Sequence, residues 1–198
     1  MSKITAVKIG GSFFNDKAVK KIKNITSIIE QISRGKSQEK FLLITGGGRA
    51  ADFVREFDSA ADLNDKSAHF AAIAAMELNA YLLSDFFEDF SFCSVNDFLA
   101  KDNYLENKNS TKNINPTKNI NLANNKNTFE NINSSNIKYI LDNNGFLSNQ
   151  INIFLPLDYY RKLDPLPHSW QVSSDSIALE LALRAGAERL VLLKQRGY

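Results

Sequence analysis

Two short, mainly apolar runs in this chain each stop at a cluster of glycines, and that repeat restricts the fold more than any other feature. Ile4–Ile9 ends in Gly10-Gly11, and Phe41–Thr45 ends in Gly46-Gly47-Gly48. Runs of this length read as strands buried on both faces, as in a parallel sheet. Between them, Asp16–Ser33 places Val19, Ile22, Ile25, Ile29 and Ile32 at helical spacing, with Gly35 marking its end. A strand, a helix and a second strand make one crossover unit of an open α/β sheet.

The rest of the chain continues the alternation. A short helix is expected from Arg49 to about Phe57. A long alanine-rich helix follows over Ser67–Phe87, on which Ala68, Ala71, Ala75, Leu78 and Leu82 can share one face. Phe92–Val95 reads as a third strand and Asn96–Ala100 as a short helical turn. Residues 102–135 are dominated by Asn, Lys, Ser and Thr, with a near-repeat in TKNINPTKNINLANN. Such a segment buries too little apolar surface to offset its ordering entropy, so it is expected to be a flexible insertion within one domain spanning 1–198. Order is expected to return with Ile137–Leu141, a turn at Asn143-Asn144-Gly145 and a strand at Ile151–Leu155. A helix over Ser174–Ala185, ended by Gly186, and a strand at Leu190–Leu193 complete the pattern. Alternating strands and helices imply a mainly parallel sheet covered on both faces, with ligands at the carboxyl ends of the strands.

Charge and cysteine content exclude several classes of function. The 24 basic and 22 acidic residues are interspersed, for a formal net charge of +2. No global field draws the protein to nucleic acid or to a membrane. The basic stretch from Lys17 to Lys23 lies in the first helical pattern and reads as a solvated face. Cys93 is the single cysteine, so neither an internal disulfide nor a zinc cluster of cysteines is available. A reducing, cytoplasmic setting is expected, with Cys93 acting as a small buried hydrophobe. No signal peptide is visible, and Phe70–Leu83 carries Glu77 and Asn79, which favours a buried helix over a membrane span.

The glycine clusters also carry the chemistry. Gly10 and Gly11 let backbone N–H groups approach an anion with no Cβ in the way, and Ser12 adds a hydroxyl. Lys8, two residues upstream, is a compact charge suited to the β–γ bridging region of a nucleotide; the competing reading is a plain strand-to-helix turn with Lys8 exposed. Gly46, Gly47 and Gly48 repeat the arrangement, now followed by a helix whose N-terminus adds its dipole. For three successive glycines, close approach of a ligand explains more than a turn that needs only one. Neither cluster is a Gly-Lys-Ser/Thr phosphate loop or a GxGxxG fingerprint. Two such turns on successive strands suggest a phosphate-rich ligand or two facing phosphorylated ligands, which suits phosphoryl transfer. A third cluster, Leu166-Pro167-His168-Ser169-Trp170-Gln171-Val172-Ser173-Ser174-Asp175, precedes the last helix. Ser173 or Ser174 can cap that helix, and Asp175 in its first turn can hold Lys8 or help to bind magnesium. Arg55, seven positions past Gly48, is placed to reach an acceptor phosphate, or else is an ordinary helix-surface arginine. His69 reads as a core histidine, and two histidines as far apart in sequence as His69 and His168 are a poor metal signal, so no resident metal site is expected.

The runs VKIGGS, LLITGGGRAADFVREFD and LPHSWQVSSDSIALELALRAGAERLVLLK resemble the three signature regions of the amino acid kinase superfamily. The likeness covers most of Ile4–Val95 and Ile151–Lys194. LPHSW…SSDSIA, with SAHFAAIAAME upstream, is similar to the branch that includes [5-(aminomethyl)furan-3-yl]methyl phosphate kinase of methanofuran biosynthesis in methanogenic archaea. The resemblance implies a three-layer αβα sandwich around a mainly parallel sheet, ATP with Mg2+ as co-substrate, and a homo-oligomer. It implies that Lys8 stabilises the transferring phosphoryl group, that Gly10, Gly11 and Ser12 bind ATP phosphates, and that Gly46, Gly47 and Gly48 hold the acceptor phosphate. Asp175 matches the acid that organises the catalytic lysine, and His168 and Ser169 fall where the acceptor binds. In this branch the acceptor is a phosphate monoester and the product a diphosphate. The chain departs from the family's Thr/Ser-Asp-Val-Asp/Ser-Gly pattern after the last strand, with Lys194-Gln195-Arg196-Gly197 in its place. Lys194 stands where it can substitute for a second catalytic lysine, or else is a solvated surface lysine, and completion of the adenine pocket beyond Tyr198 stays open.

Overall fold

The structure, a computed structural model, describes residues 3–35, 39–94, 147 and 149–195. Strand β1 (Ile4–Ile9) passes through two 3-10 turns, Gly11–Phe13 and Asp16–Ala18, into helix α1 (Val19–Ser33). Strand β2 (Lys40–Thr45) is followed by helices α2 (Gly48–Ala61) and α3 (Asp65–Ser84) and by strand β3 (Ser91–Cys93). Then come β4 (Ile151–Phe154), α4 (Pro156–Leu163), α5 (Ser174–Ala185) and β5 (Arg189–Leu193). The five strands form one sheet in the order β3-β4-β2-β1-β5, and every neighbouring pair is parallel. Helices cover both faces, which makes the three-layer αβα sandwich.

The strand pleat divides the core in two. Ala6, Leu42 and Ile44 face one way, into a cluster with Tyr159 and Tyr160 of α4 and Ile177, Ala178 and Leu181 of α5. Val7, Ile9 and Leu43 face the other way, toward Ile22 and Ile29 of α1. Helix α3 joins both clusters, with Ile73 and Met76 in the first and Ala80 and Leu83 in the second. It passes the carboxyl end of β2, where the Thr45 hydroxyl donates to the Met76 carbonyl at 2.6 Å. The register aligns Ile9 with Thr45 on one side and with Leu193 on the other. Gly10, Gly46 and Lys194 therefore emerge side by side along one edge of the sheet.

Several sequence expectations shift in detail. Of the expected face of α3, Ala68 and Ala75 are buried, together with His69, Ile73, Met76, Asn79, Ala80 and Leu83, whereas Leu78 and Leu82 are 52% exposed. With alanine on every side, the hydrophobic pattern does not fix the rotation of this helix, and contact with β2 and α4 does. Helix α1 buries Ile22, Thr26, Ile29 and Ser33 while Val19 and Ile32 face outward, and its first turn, at Asp16–Ala18, is 3-10. Helix α2 runs on to Ala61, four residues past the expected end. Helix α4 was absent from the sequence reading; Pro156 starts it, and Glu77 of α3 accepts a 2.8 Å bond from the Leu157 N–H in its first turn. Cys93 is buried as expected. The Lys17 to Lys23 face is solvated. The expected turn at 96–100, the insertion at 102–135, the run at 137–141 and the turn at 143–145 lie outside the described residues. No described helix is long and apolar enough to cross a membrane.

One polar group inside the first core is answered by two others. Glu180 of α5 accepts the Tyr159 hydroxyl at 2.7 Å and the Tyr160 hydroxyl at 3.1 Å. Burial first, and the Glu180 carboxylate with it, push both phenols well above their ordinary pKa. Removing the acceptor takes from both phenol hydroxyls the carboxylate to which they donate. Glu180→Ala should therefore destabilise the fold by about 2–4 kcal/mol, and Glu180→Gln by less, measured as urea midpoints.

Candidate active site

A lysine at the end of a central strand needs a counter-charge, because an unpaired buried ammonium is strongly disfavoured. Lys8 shares the pleat of Ala6, so it faces the α5 side of the sheet, and it is only 4% exposed. Its partner comes from the first turn of α5. Ser173 caps that helix by accepting the Ser176 N–H, and Asp175 follows two residues later. Lys8 Nζ lies 2.8 Å from Asp175 Oδ1. The other oxygen, Oδ2, meets Lys194 Nζ at 2.5 Å, just beyond β5. The Lys8 contact is electrostatic more than directional, since Oδ1 has no well-aligned donor. Burial alone would raise the Asp175 carboxyl, but the ammoniums of Lys194 and Lys8 beside it outweigh burial and hold the group below its ordinary value. Two ammoniums around one carboxylate leave an excess positive charge at the strand ends, suited to an anion.

The glycine turns meet each other there. Gly10 N–H donates to the Leu193 carbonyl at 2.9 Å, and Gly46 N–H to the Ile9 carbonyl at 2.8 Å, which extends the sheet by one bond on each side of β1. A Cβ on Gly11 would overlap the backbone of Gly48, and a Cβ on Gly48 would overlap the Gly11 carbonyl. Gly48 also has φ +53°, a left-handed conformation that favours glycine. A Cβ on Gly46 would sit 2.6 Å from Gly11 N. Close approach thus has a cause inside the chain, because the two turns touch backbone to backbone. Asn79 of α3, 3% exposed, donates to the Gly46 and Gly47 carbonyls at 2.6 and 2.9 Å and fixes the second turn from below. Ser12 lies exposed in the first 3-10 turn, held through its carbonyl by Asn15 Nδ2 at 2.5 Å.

Beside the turns a cleft of about 250 Å³ runs between α2, α3 and the loop ahead of α5. Gly47, Gly48, Ser169, Ser173 and Ser174 line it. The Lys8–Asp175–Lys194 cluster is not part of its lining; Ser174 connects the two, being next to Asp175 in the chain. Arg55 also lines the cleft. Its guanidinium lies 4.8 Å from the Trp170 ring centre and 3.0 Å from Asp52 Oδ1. Trp170 Nε1–H donates to Asp58 at 2.6 Å, so the loop is tied to α2 by two contacts of one side chain. His168 adjoins Ser169 in the chain, but its ring engages Asp164 at 2.8 Å and packs on His69 with ring centres 4.8 Å apart.

The structure therefore brings Lys8, Asp175 and Lys194 into one cluster and Gly10–Ser12 against Gly46–Gly48, with Arg55 and Ser169 on the neighbouring cleft. Sequence reasoning missed Asn79, Trp170 as the partner of Arg55, and Asp164. Asn79 did leave a signal, as a polar residue inside an apolar helix, but its partners are 32 and 33 positions away.

Two outcomes follow from this geometry. Asn79→Ala removes the side-chain donor from the buried Gly46 carbonyl and leaves the Gly47 carbonyl only its 3.3 Å bond from the Ala51 N–H, and should cost about 1–3 kcal/mol in chemical denaturation. Ionised Asp175 favours the folded state because its folded pKa is depressed. That contribution is complete above the ordinary carboxyl value and is lost as pH falls through the lower folded value. The stability gap between wild type and Asp175→Asn should thus be widest near neutral pH and should narrow on acidification below about pH 4, followed by thermal midpoints across a pH series.

No functionally curated protein matches the sequence. Among solved structures, the chain is similar to a uridylate kinase from Archaeoglobus fulgidus, with a TM-score of 0.56 at 15% identity. That match covers 97% of this chain but 64% of the other, so the chain spans less than two thirds of the length of the protein it resembles. The family model for the amino acid kinase family matches residues 3–196. Nearly the whole chain lies within that match, and the protein belongs to the amino acid kinase family.

Proposed function

We propose that this chain is an ATP-dependent phosphotransferase whose acceptor is itself a phosphate ester. The observation that carries the reading is the convergence of Lys8 and Lys194, from neighbouring strands, on the single carboxylate of Asp175 at the edge where both glycine turns open. Phosphoryl transfer asks the protein mainly for positioning and for cationic groups around the transferring oxygens. In this reading Mg2+ arrives with ATP as part of the substrate. The N–H of Gly11 and the hydroxyl of Ser12 bind the ATP phosphates, and the N–H groups of Gly47 and Gly48 with the N-terminus of α2 hold the acceptor phosphate, while Gly10 and Gly46 donate their own N–H groups to the neighbouring strands and anchor the two turns. Lys8 and Lys194 stabilise the transferring phosphoryl group. Asp175 holds both ammoniums in position.

Arg55 and Ser169 are assigned to the acceptor because they line the cleft that opens from Gly47 and Gly48. His168, expected at the acceptor, adjoins them in the loop, but its ring engages Asp164 and His69 and does not line the cleft. The specific acceptor we propose is [5-(aminomethyl)furan-3-yl]methyl phosphate, converted to its diphosphate, a better leaving group for a later coupling. The support is the LPHSWQVSSD run, whose Ser169, Trp170, Val172, Ser173 and Ser174 line the cleft. A different acceptor within the family, such as a carboxylate or a nucleoside monophosphate, is the alternative, and a non-catalytic nucleotide-binding module is a third reading. We further propose a single cytoplasmic domain that self-associates. Exposed Leu78, Tyr81 and Leu82 on α3 and Phe92 on β3 give it an apolar surface to bury.

Purified protein with Mg-ATP and a panel of acceptors should release ADP fastest with the furan phosphate. Faster turnover with a carboxylate or a nucleotide would move the acceptor assignment, and intact ATP binding without turnover on any acceptor would favour the binding module. Lys8→Ala should lower kcat by about 100-fold or more with the fold intact. Arg55→Ala should raise the KM for the acceptor about tenfold while changing kcat little. An unchanged acceptor KM would return Arg55 to the helix surface.

A further inference from the structure

The alanine-rich helix and the loop before α5 bring together three side chains that the phosphotransfer reading does not use. His69 stands in the second turn of α3, Asp164 closes α4, and His168 follows four residues later. Each offers one ligand atom, and the three atoms lie within 4.8 Å of one another. His168 Nε2 is 2.8 and 2.9 Å from the two Asp164 oxygens. His69 is 6% exposed, and its Nε2 is buried with no hydrogen-bond partner. A buried imidazole nitrogen beside a second imidazole and a carboxylate calls for a partner that accepts its lone pair or its proton.

We propose that His69, Asp164 and His168 form a binding site for a divalent transition-metal ion. Two imidazoles and one carboxylate make a donor set suited to Zn2+, Co2+ or Ni2+, whereas Mg2+ and Ca2+ favour oxygen ligands alone. Around a tetrahedral ion with bonds near 2.0–2.1 Å, ligand atoms sit roughly 3.4 Å apart. The cluster needs a contraction of about 1.4 Å from its 4.8 Å span, within reach of side-chain rotation at two loop residues. Asp164 has φ 41°, a left-handed cap conformation that suits Asp, so its identity has a local cause as well. His69 also lines the cleft.

The consequence is mechanical. The ion would tie α3 to the end of α4 and to the loop that carries Ser169, Trp170, Ser173 and Ser174 along the cleft. Binding to the folded state alone raises the thermal midpoint with metal concentration.

The test uses untagged full-length protein, stripped with EDTA and exchanged into chelator-free buffer at about pH 7.5, where an ordinary imidazole is mostly neutral. CoCl2 is titrated by visible absorption and calorimetry, then displaced with ZnCl2. The expected result is one Co2+ per chain, ligand-field bands of low coordination number, loss of those bands on adding Zn2+, and a midpoint raised by several degrees. MgCl2 should not compete. His69→Gln and His168→Gln should weaken binding at least tenfold. If either fails to fold, the partly exposed Asp164→Asn decides, and it too should weaken binding. Lys8→Ala should bind Co2+ like wild type. Absent bands and heat at millimolar CoCl2, equal competition by Mg2+, or wild-type affinity in the folded variants would overturn the site. None of these readouts depends on turnover, so failure here leaves the phosphotransfer reading standing, and the reverse also holds.

Discussion

The charge of Lys8 sets the terms for this end of the molecule. The residue sits in an interior strand of the sheet, flanked by β2 and β5, and is almost wholly out of water. Breaking such a pair by removing the carboxylate typically costs about 3–5 kcal/mol, because an ammonium is left buried and unpaired. Asp175 must therefore be delivered to the strand end, which fixes where α5 begins and how the preceding loop runs. The same carboxylate takes Lys194, which ties the end of β5 to the site. A pair built only for stability would be neutral. Here a second lysine restores positive charge at the edge of the sheet.

The glycines act through a second constraint of the same kind. Gly11, Gly46 and Gly48 are small because two turns share one space, and any Cβ there would overlap backbone. Interlocked turns hold their N–H groups in place before a ligand arrives, which is what preorganised anion binding requires. Asn79 extends this support from α3 by occupying the carbonyls of Gly46 and Gly47. Carbonyl oxygens turned toward Asn79 are turned away from any anion above the turn.

Legibility in the sequence followed the range of the interaction. The strands that feed the site, the capped start of α5 and the glycine stop at Gly186 are local events, and short-range pattern and capping chemistry were enough to place them. Helix α4 escaped notice because it has only eight residues and depends on Glu77, far away in sequence, for its first turn. The rotation of α3 was likewise hidden, since alanines offer no strong apolar stripe. Trp170 looked like one member of a polar cluster, and only its position across α2 reveals it as the partner of both Arg55 and Asp58.

By itself the sequence determined that strands would end in glycine turns, that a lysine would stand at the first of them, and that an acid would open the last long helix. These follow from periodicity, capping and the conformational freedom of glycine, all of which act over a few residues. The tertiary structure alone decided that Lys8 and Lys194 share one carboxylate, that the glycine turns press against each other, and that His69 meets His168 beside Asp164. Those pairings depend on the order β3-β4-β2-β1-β5 and on the register that sets Ile9 level with Thr45 and Leu193. Such long-range contacts are settled by which faces pack in three dimensions, and no local pattern encodes them.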